Sequence, residues 1–270
     1  MKNKKIGIVG CGTIGRALAK AICSKFKDHA VLSFICDRSQ EKAVSLKKGL
    51  RLSARISSMR ETLQKSDLVI EAASAEAAAE ILKFHFRPHQ AVMVMSVGAI
   101  LLNPDFIQRF QKKRMAIWIP SGAVAGIDGL KAAREGGLES VTLITRKPPA
   151  GIRGAAYFKK RKFPRLKGRE EIRVFKGNAL QAVKNFPQNI NVAAVASLAG
   201  LGAMKTTVEI WTSNAYRFNQ HEIRAAGKTG SIQTVVQNFP SAENPKTSAL
   251  AIYSAIATLR KIFSSVQIGA

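Results

Sequence analysis

The sequence predicts an α/β protein: an N-terminal Rossmann domain, built as a doubly wound parallel sheet, followed by a C-terminal α+β domain. Three observations predict it. An apolar run at residues 6–9 enters Gly10-Cys11-Gly12-Thr13-Ile14-Gly15 and then a helix-forming stretch. Asp37 closes the next apolar run, 22 residues beyond Gly15, where a ribose-binding acid belongs. Strand-like and helix-like patterns then alternate as far as Pro120, after which the texture changes.

Each element has a local cause. Gly10 makes the tight turn, Gly12 lets a pyrophosphate approach the backbone, and Gly15 allows close helix–strand packing. A helix over 16–26 offers its N-terminal N–H groups and dipole to the phosphates. Gly10, Gly12, Thr13, Ile14 and Gly15 are therefore candidate cofactor-binding residues, with Asp37 for the ribose. Asp37 favours a free 2′-hydroxyl, while Arg38 beside it suits a 2′-phosphate, so NAD is expected with NADP tolerated. Runs at 30–36, 68–71, 91–96 and 115–119 read as buried parallel strands. Between them 40–48, 59–65, 75–86 and 105–113 carry helical periodicity. Ligands of such sheets sit at the carboxyl ends of the strands. That places Asp37, Glu71-Ala72-Ala73-Ser74 and Ser96-Val97-Gly98 at one crevice, and adds Ala73 and Ser74 to the cofactor-binding set. The first domain is 1–120.

Beyond it, 141–145, 171–175, 207–211, 221–226 and 231–238 read as strands, and 128–134, 179–186 and 191–198 as helices. This is an α+β domain over 121–243, on a mostly antiparallel sheet. The basic stretch 158–168 reads as an exposed loop. Asn244 and Pro245 have N-cap and first-turn chemistry, so 244–270 is expected to form a terminal helix. Its apolar positions Ile252, Ile256, Leu259 and Phe263 would pack back on the first domain.

Composition narrows the classes. Apolar residues at 46% and charged residues at 22% suffice for a core and exclude global disorder. No stretch approaches the ~20 apolar residues of a membrane span. The glycine-broken start reads as mature protein rather than a signal peptide. Cys11, Cys23 and Cys36 form neither an even set nor a metal-ligand spacing, which suits buried thiols in a reducing cytoplasm. His85 and His89 have helical ligand spacing, but Pro88 lies between them and a surface loop is expected, with no metal. Forty-three Lys and Arg against 17 Asp and Glu give a net charge of +26. Without aromatic interleaving this reads as a solvated basic surface, with nucleic acid held only by non-specific adhesion.

Three later blocks are more specific. They are Ile119-Pro-Ser-Gly-Ala-Val-Ala-Gly-Ile-Asp-Gly-Leu130 with Gly137–Pro149, Phe186-Pro-Gln-Asn-Ile-Asn-Val-Ala-Ala194 with Leu198–Gly202, and Asn219-Gln-His-Glu-Ile223 with Ser241–Ser248. In this order they resemble the L-aspartate dehydrogenase family. The resemblance implies NAD(P)-dependent oxidative deamination of L-aspartate, through iminoaspartate to oxaloacetate and ammonia, or the reverse. It also implies a cytoplasmic homodimer that could feed the imine to pyridine nucleotide biosynthesis. His221 takes the place of the catalytic histidine, and an imidazole titrating near neutrality suits proton transfer. Ala123 and Asn189 match cofactor-contacting positions. Arg146, Lys147, Asn219 and Lys246 are candidate substrate-binding residues, the cations for carboxylates. One departure stands out: the family's Asp-Pro after the preceding strand is replaced by Thr212-Ser213-Asn214-Ala215. Two alternatives stay open. One is a dehydrogenase of another small anionic amino or hydroxy acid; the other is a catalytically weakened nucleotide-binding protein with a nucleic-acid-adhesive surface.

Overall fold

The computed structural model describes residues 3–159, 161–187, 191–241 and 244–269, with the side chains of Pro240, Pro245 and Lys246 outside the description. The chain divides into two compact units, Met1–Pro120 with Ile252–Gln267, and Ser121–Ala251 with Ile268–Ala270.

The first unit is a six-stranded parallel sheet. Its strands are β1 (Lys4–Val9), β2 (Ala30–Cys36), β3 (Arg55–Ile56), β4 (Leu68–Glu71), β5 (Ala91–Val94) and β6 (Ala116–Trp118). They lie in the order β3-β2-β1-β4-β5-β6, so the winding reverses between β1 and β4. Helices α1 (Thr13–Lys25), α2 (Gln40–Gly49), α3 (Met59–Lys65), α4 (Ala75–Lys83), α5 (Gly98–Leu102) and α6 (Asp105–Lys112) connect them. Ile6, Ile8, Ile35, Leu68, Ile70 and Met93 of the strands and Leu18, Ile22 and Leu46 of the helices form one core. Such near-continuous apolar strands are what a sheet covered on both faces requires. α1 begins three residues before the expected position, because the turn at Gly12 leads directly into it.

The second unit is a mixed five-stranded sheet. It contains α7 (Ile127–Glu135), β7 (Leu138–Lys147), β8 (Ile172–Asn178), α8 (Ala179–Asn185), α9 (Asn191–Ala199), β9 (Thr206–Thr212), β10 (Asn219–Gly227) and β11 (Gly230–Asn238). The order is β11-β10-β7-β9-β8, antiparallel except for β7 beside β9. Val141 of β7 and Leu130 of α7 meet beside Gly200, so the helices cover the face that carries Val141, Leu143, Thr145 and Lys147. Alternate residues, including Arg146, lie on the other face.

Two expectations need correction. Asn244 and Pro245 do not start the last helix. β13 (Asn244–Ser248) pairs with β12 (Pro240–Ser241), and α10 (Ala249–Phe263) begins only where that ladder ends. From Ile252 onward α10 belongs to the first unit, where Ala255 and Leu259 are buried in the core and the Phe263 ring lies on Phe26 and His29. The basic stretch is the exposed irregular segment expected, and its aromatic residues gather in ring contacts. Tyr157 stacks on Phe186, Phe158 meets Phe163, and Arg153 and Arg161 lie over the Phe163 and Tyr157 rings at 4.8 and 4.4 Å. The rings face inward and the charges outward. Finally, Cys23 is exposed on α1, whereas Cys11 and Cys36 are buried.

Candidate functional site

The glycine-rich turn is shaped by contact. Gly10 adopts φ +105°, and a Cβ there would come within 2.4 Å of the Ala72 carbonyl oxygen. At Gly15 a Cβ would fall 1.8 Å from the Gly10 oxygen, so only glycine lets α1 approach the turn this closely. At Gly12, by contrast, a Cβ would meet nothing within 4 Å among the described residues. Two glycines are needed for packing and one faces open space, which is the division of labour a pyrophosphate cradle needs. Thr13 and Ile14 open α1 directly above it. The Asp37 carboxylate accepts from the Cys11 N–H (2.7 Å) and the Ser39 N–H (2.9 Å), tying the turn to the end of β2. Burial first, and then the Asp37 charge, push the Cys11 thiol up to about 12, so it stays an inert packing group. Arg38 is exposed beside it. Ala73 and Ser74 follow β4, and the Ser74 hydroxyl caps α4 by accepting from the Ala77 N–H.

Sequence reasoning placed Glu71 at this crevice without giving it a role, yet it organises the edge. Glu71, fully buried, accepts hydrogen bonds from the Ala73, Met95 and Ser96 N–H groups and from the Ser96 hydroxyl. These residues fit NAD: a glycine cradle, a ribose acid, and ordered loops at the switch point of the sheet.

A second cluster lies in the second unit. His221 pairs directly across from Thr145, and its Nδ1 is 3.0 Å from the Thr145 hydroxyl. Lys147 lies two residues further along β7 on the same face. Asn219 shares that face of β10, and both Asn219 Oδ1 and the Lys147 Cβ stand 3.9 Å from a Cβ built on Gly151. Asn238, opposite Asn219 on β11, donates to the Ala123 carbonyl at 3.0 Å and accepts from the Ser248 hydroxyl. It therefore fixes the 121–126 turn beside the cluster. His221, Lys147, Asn219 and Ala123 are thus brought together. Asn189 lies outside the described residues, as does the side chain of Lys246.

Two expectations change here. Arg146 faces away from His221, and its guanidinium is bound to Glu222 at 2.8 Å, so strand alternation removes it from the carboxylate-binding set. Burial works against ionisation of Glu222, yet hydrogen bonds from Arg146, Arg224 and Gln233 outweigh it and hold the carboxyl below its ordinary value. His221, moreover, does not titrate near neutrality. Burial, and then the Lys147 charge, press it down to about 3, while burial brings Lys147 down to about 8. At neutral pH the pair is a neutral imidazole beside a buried ammonium.

A dinucleotide-binding sheet followed by a mixed sheet that buries a histidine and a lysine on one face defines an NAD-dependent oxidoreductase. Residues 10–120 match the family model of the homoserine dehydrogenase NAD binding domain. Residues 128–262 match that of the aspartate dehydrogenase C-terminal domain. The chain is 44% identical to the L-aspartate dehydrogenase of Methanosarcina mazei and 37% identical to that of Methanocaldococcus jannaschii, each time over 98% of this chain and 99% of the relative. It therefore belongs to the L-aspartate dehydrogenase family. The crystal structure of aspartate dehydrogenase from Thermotoga maritima is similar over 99% of this chain and all of that one, with TM-score 0.74 and 26% identity. A myo-inositol dehydrogenase from Lactobacillus casei, 12% identical with TM-score 0.55 over 97% and 86% of the chains, shares the fold alone.

Proposed function

We propose that the chain catalyses the NAD-dependent oxidative deamination of L-aspartate, through iminoaspartate to oxaloacetate and ammonia, and the reverse amination. The observation that carries this reading is the neutral His221 beside the buried Lys147, on the face that also carries Asn219. NAD, when bound, supplies the acceptor for the hydride that leaves Cα. The chain's own residues do the rest. The Lys147 ammonium binds a substrate carboxylate as a point charge in a dry site, where such a pair is strong. Doing so offsets the Lys147 charge, the second cause after burial of the lowered His221 pKa. Substrate binding therefore relieves the Lys147 part of that depression, while the part due to burial stays. His221 takes a proton from the substrate ammonium, so that the nitrogen lone pair can form the C=N bond as hydride departs. Once that proton has passed to solvent, the again neutral imidazole takes one from the water that attacks the imine carbon. With Nδ1 held by Thr145, Nε2 is the atom that handles these protons. Asn219 and the 121–126 turn, which holds Ala123, border the same face.

On the cofactor side, Gly10, Gly12, Thr13, Ile14, Gly15, Asp37, Ala73 and Ser74 hold the dinucleotide. Asp37 favours NAD, and exposed Arg38 lets NADP be tolerated. Family membership supports a homodimer working in the cytoplasm; light scattering tests the first and cell fractionation the second. Among the described residues no helix is long and apolar enough to cross a membrane.

The test follows reduced cofactor formation at alkaline pH with L-aspartate, L-malate, L-glutamate and L-alanine in parallel. Turnover is expected with L-aspartate alone and is lost in His221→Ala while NAD still binds. Turnover with malate or glutamate instead would point to another small anionic acid. Silence on all four with NAD bound would point to a weakened nucleotide-binding protein.

A further inference from the structure

Gly151 closes the short 3-10 turn Pro149–Gly151 that follows β7, and neither its backbone nor its packing asks for glycine. Its φ lies outside the left-handed region. A Cβ built there would stand 3.9 Å from Asn219 Oδ1, 3.9 Å from the Lys147 Cβ and 4.0 Å from the Lys147 Cδ, all ordinary contacts. Beyond its chain neighbours no other described atom comes closer. Gly10 and Gly15 are different, because a Cβ at either would overlap backbone. The turn is held in place around Gly151: its N–H donates to the Pro148 carbonyl at 2.9 Å, and Ile152 beside it is buried.

Bare backbone at Gly151 therefore borders the gap between the Asn219 amide and the Lys147 stem. Gly151 is exposed and Lys147 is buried, so the gap has solvent on one side and the lysine on the other. A glycine with no conformational duty suits a place where a ligand passes close to the chain. We propose that Gly151 is a specificity-determining residue: its missing side chain keeps open the way by which one carboxylate of a four-carbon dicarboxylate reaches the Lys147 ammonium. A methyl at this point would already touch both walls of the gap and leave no room for that arm. The proposal rests on the reading of Lys147 as the carboxylate-binding cation.

Gly151→Ala adds that methyl where the backbone accepts it. KM for L-aspartate is expected to rise about ten-fold, with kcat and the NAD dissociation constant within about two-fold of wild type. Gly151→Val, a larger plug, should raise KM further. Succinate, a dicarboxylate without an amino group, gives a readout that needs no turnover. Its calorimetric dissociation constant from NAD-loaded protein should weaken in the same order of variants. An unchanged KM and unchanged succinate affinity in Gly151→Ala would overturn the proposal and leave the aspartate reading intact. So would parallel losses of kcat and NAD affinity, which mark general damage rather than a narrowed gap. Wild type that is silent on L-aspartate, yet binds succinate more tightly than Gly151→Ala does, would overturn the aspartate reading and keep the role of Gly151. Wild type that neither turns over L-aspartate nor binds succinate would overturn both.

Discussion

Thr145 places a single hydroxyl 3.0 Å from Nδ1 of His221. Thr212-Ser213-Asn214-Ala215 carries no carboxylate, and His221 is steadied from the neighbouring strand instead. A hydroxyl fixes ring orientation without contributing negative charge, so it leaves the imidazole less basic than a carboxylate would. Thr145→Val preserves shape and burial but removes that bond. It should lower kcat about 10- to 100-fold with NAD affinity unchanged, and Thr145→Ser should restore most of the loss. A valine variant as fast as wild type would remove Thr145 from the mechanism. Individual residues were legible in the sequence wherever chemistry is local. The glycine turn and Asp37 stand out by type and spacing, whereas His221 is singled out by the family resemblance and Lys147 is one of several candidate cations. Thr145, Glu71 and Asn238 do not, because their roles arise from partners 76, 24–25 and 115 positions away, joined only by strand register and loop closure. Arg146 misled for a related reason. Adjacent strand residues must face opposite sides, but only the fold says which side holds the site.

Elements were read well where periodicity was long and poorly where it was short. Five of the six parallel strands and five of their six helices follow from apolar runs and 3.6-residue spacing, whereas β3, with two residues, and α5, with five, are too brief to leave a pattern. The stretch 244–248 shows local chemistry overruled. Asn-Pro is good helix-start material, yet the Pro240–Ser241 edge offers a ladder, and the helix waits until Ala249. The apolar spacing of that helix was the more dependable signal. Leu259 is fully buried in the first unit's core, so Leu259→Ala should cost about 3 kcal/mol of stability through lost burial and a residual cavity. Urea unfolding of NAD-free protein reads this, and a midpoint unchanged from wild type would show that α10 contributes little to the core.

The molecule as a whole carries a net charge of +26, and the structure gives one part of that charge an ordered footing. The aromatic cluster of Tyr157, Phe158, Phe163, Phe175 and Phe186 turns its rings inward and leaves Arg161, Lys162, Arg165 and Lys167 facing water. Tyr157, Phe158 and Phe163 are half-buried, and Arg161 and Arg153 lie over the Tyr157 and Phe163 rings, so contact with nucleic acid is expected through phosphates. Retention on immobilised DNA should therefore fade between about 0.1 and 0.5 M salt and show no sequence preference. Retention of one sequence at half-molar salt would contradict a purely electrostatic surface. The path of the backbone has a different consequence. The first unit takes its opening 120 residues from the start of the chain and Ala255 and Leu259 from near its end. During synthesis, when domains generally fold as they emerge, this one must wait. The ribosome delivers residues 121–251 of the second unit first, and the dinucleotide-binding core, begun earliest, is closed only after them.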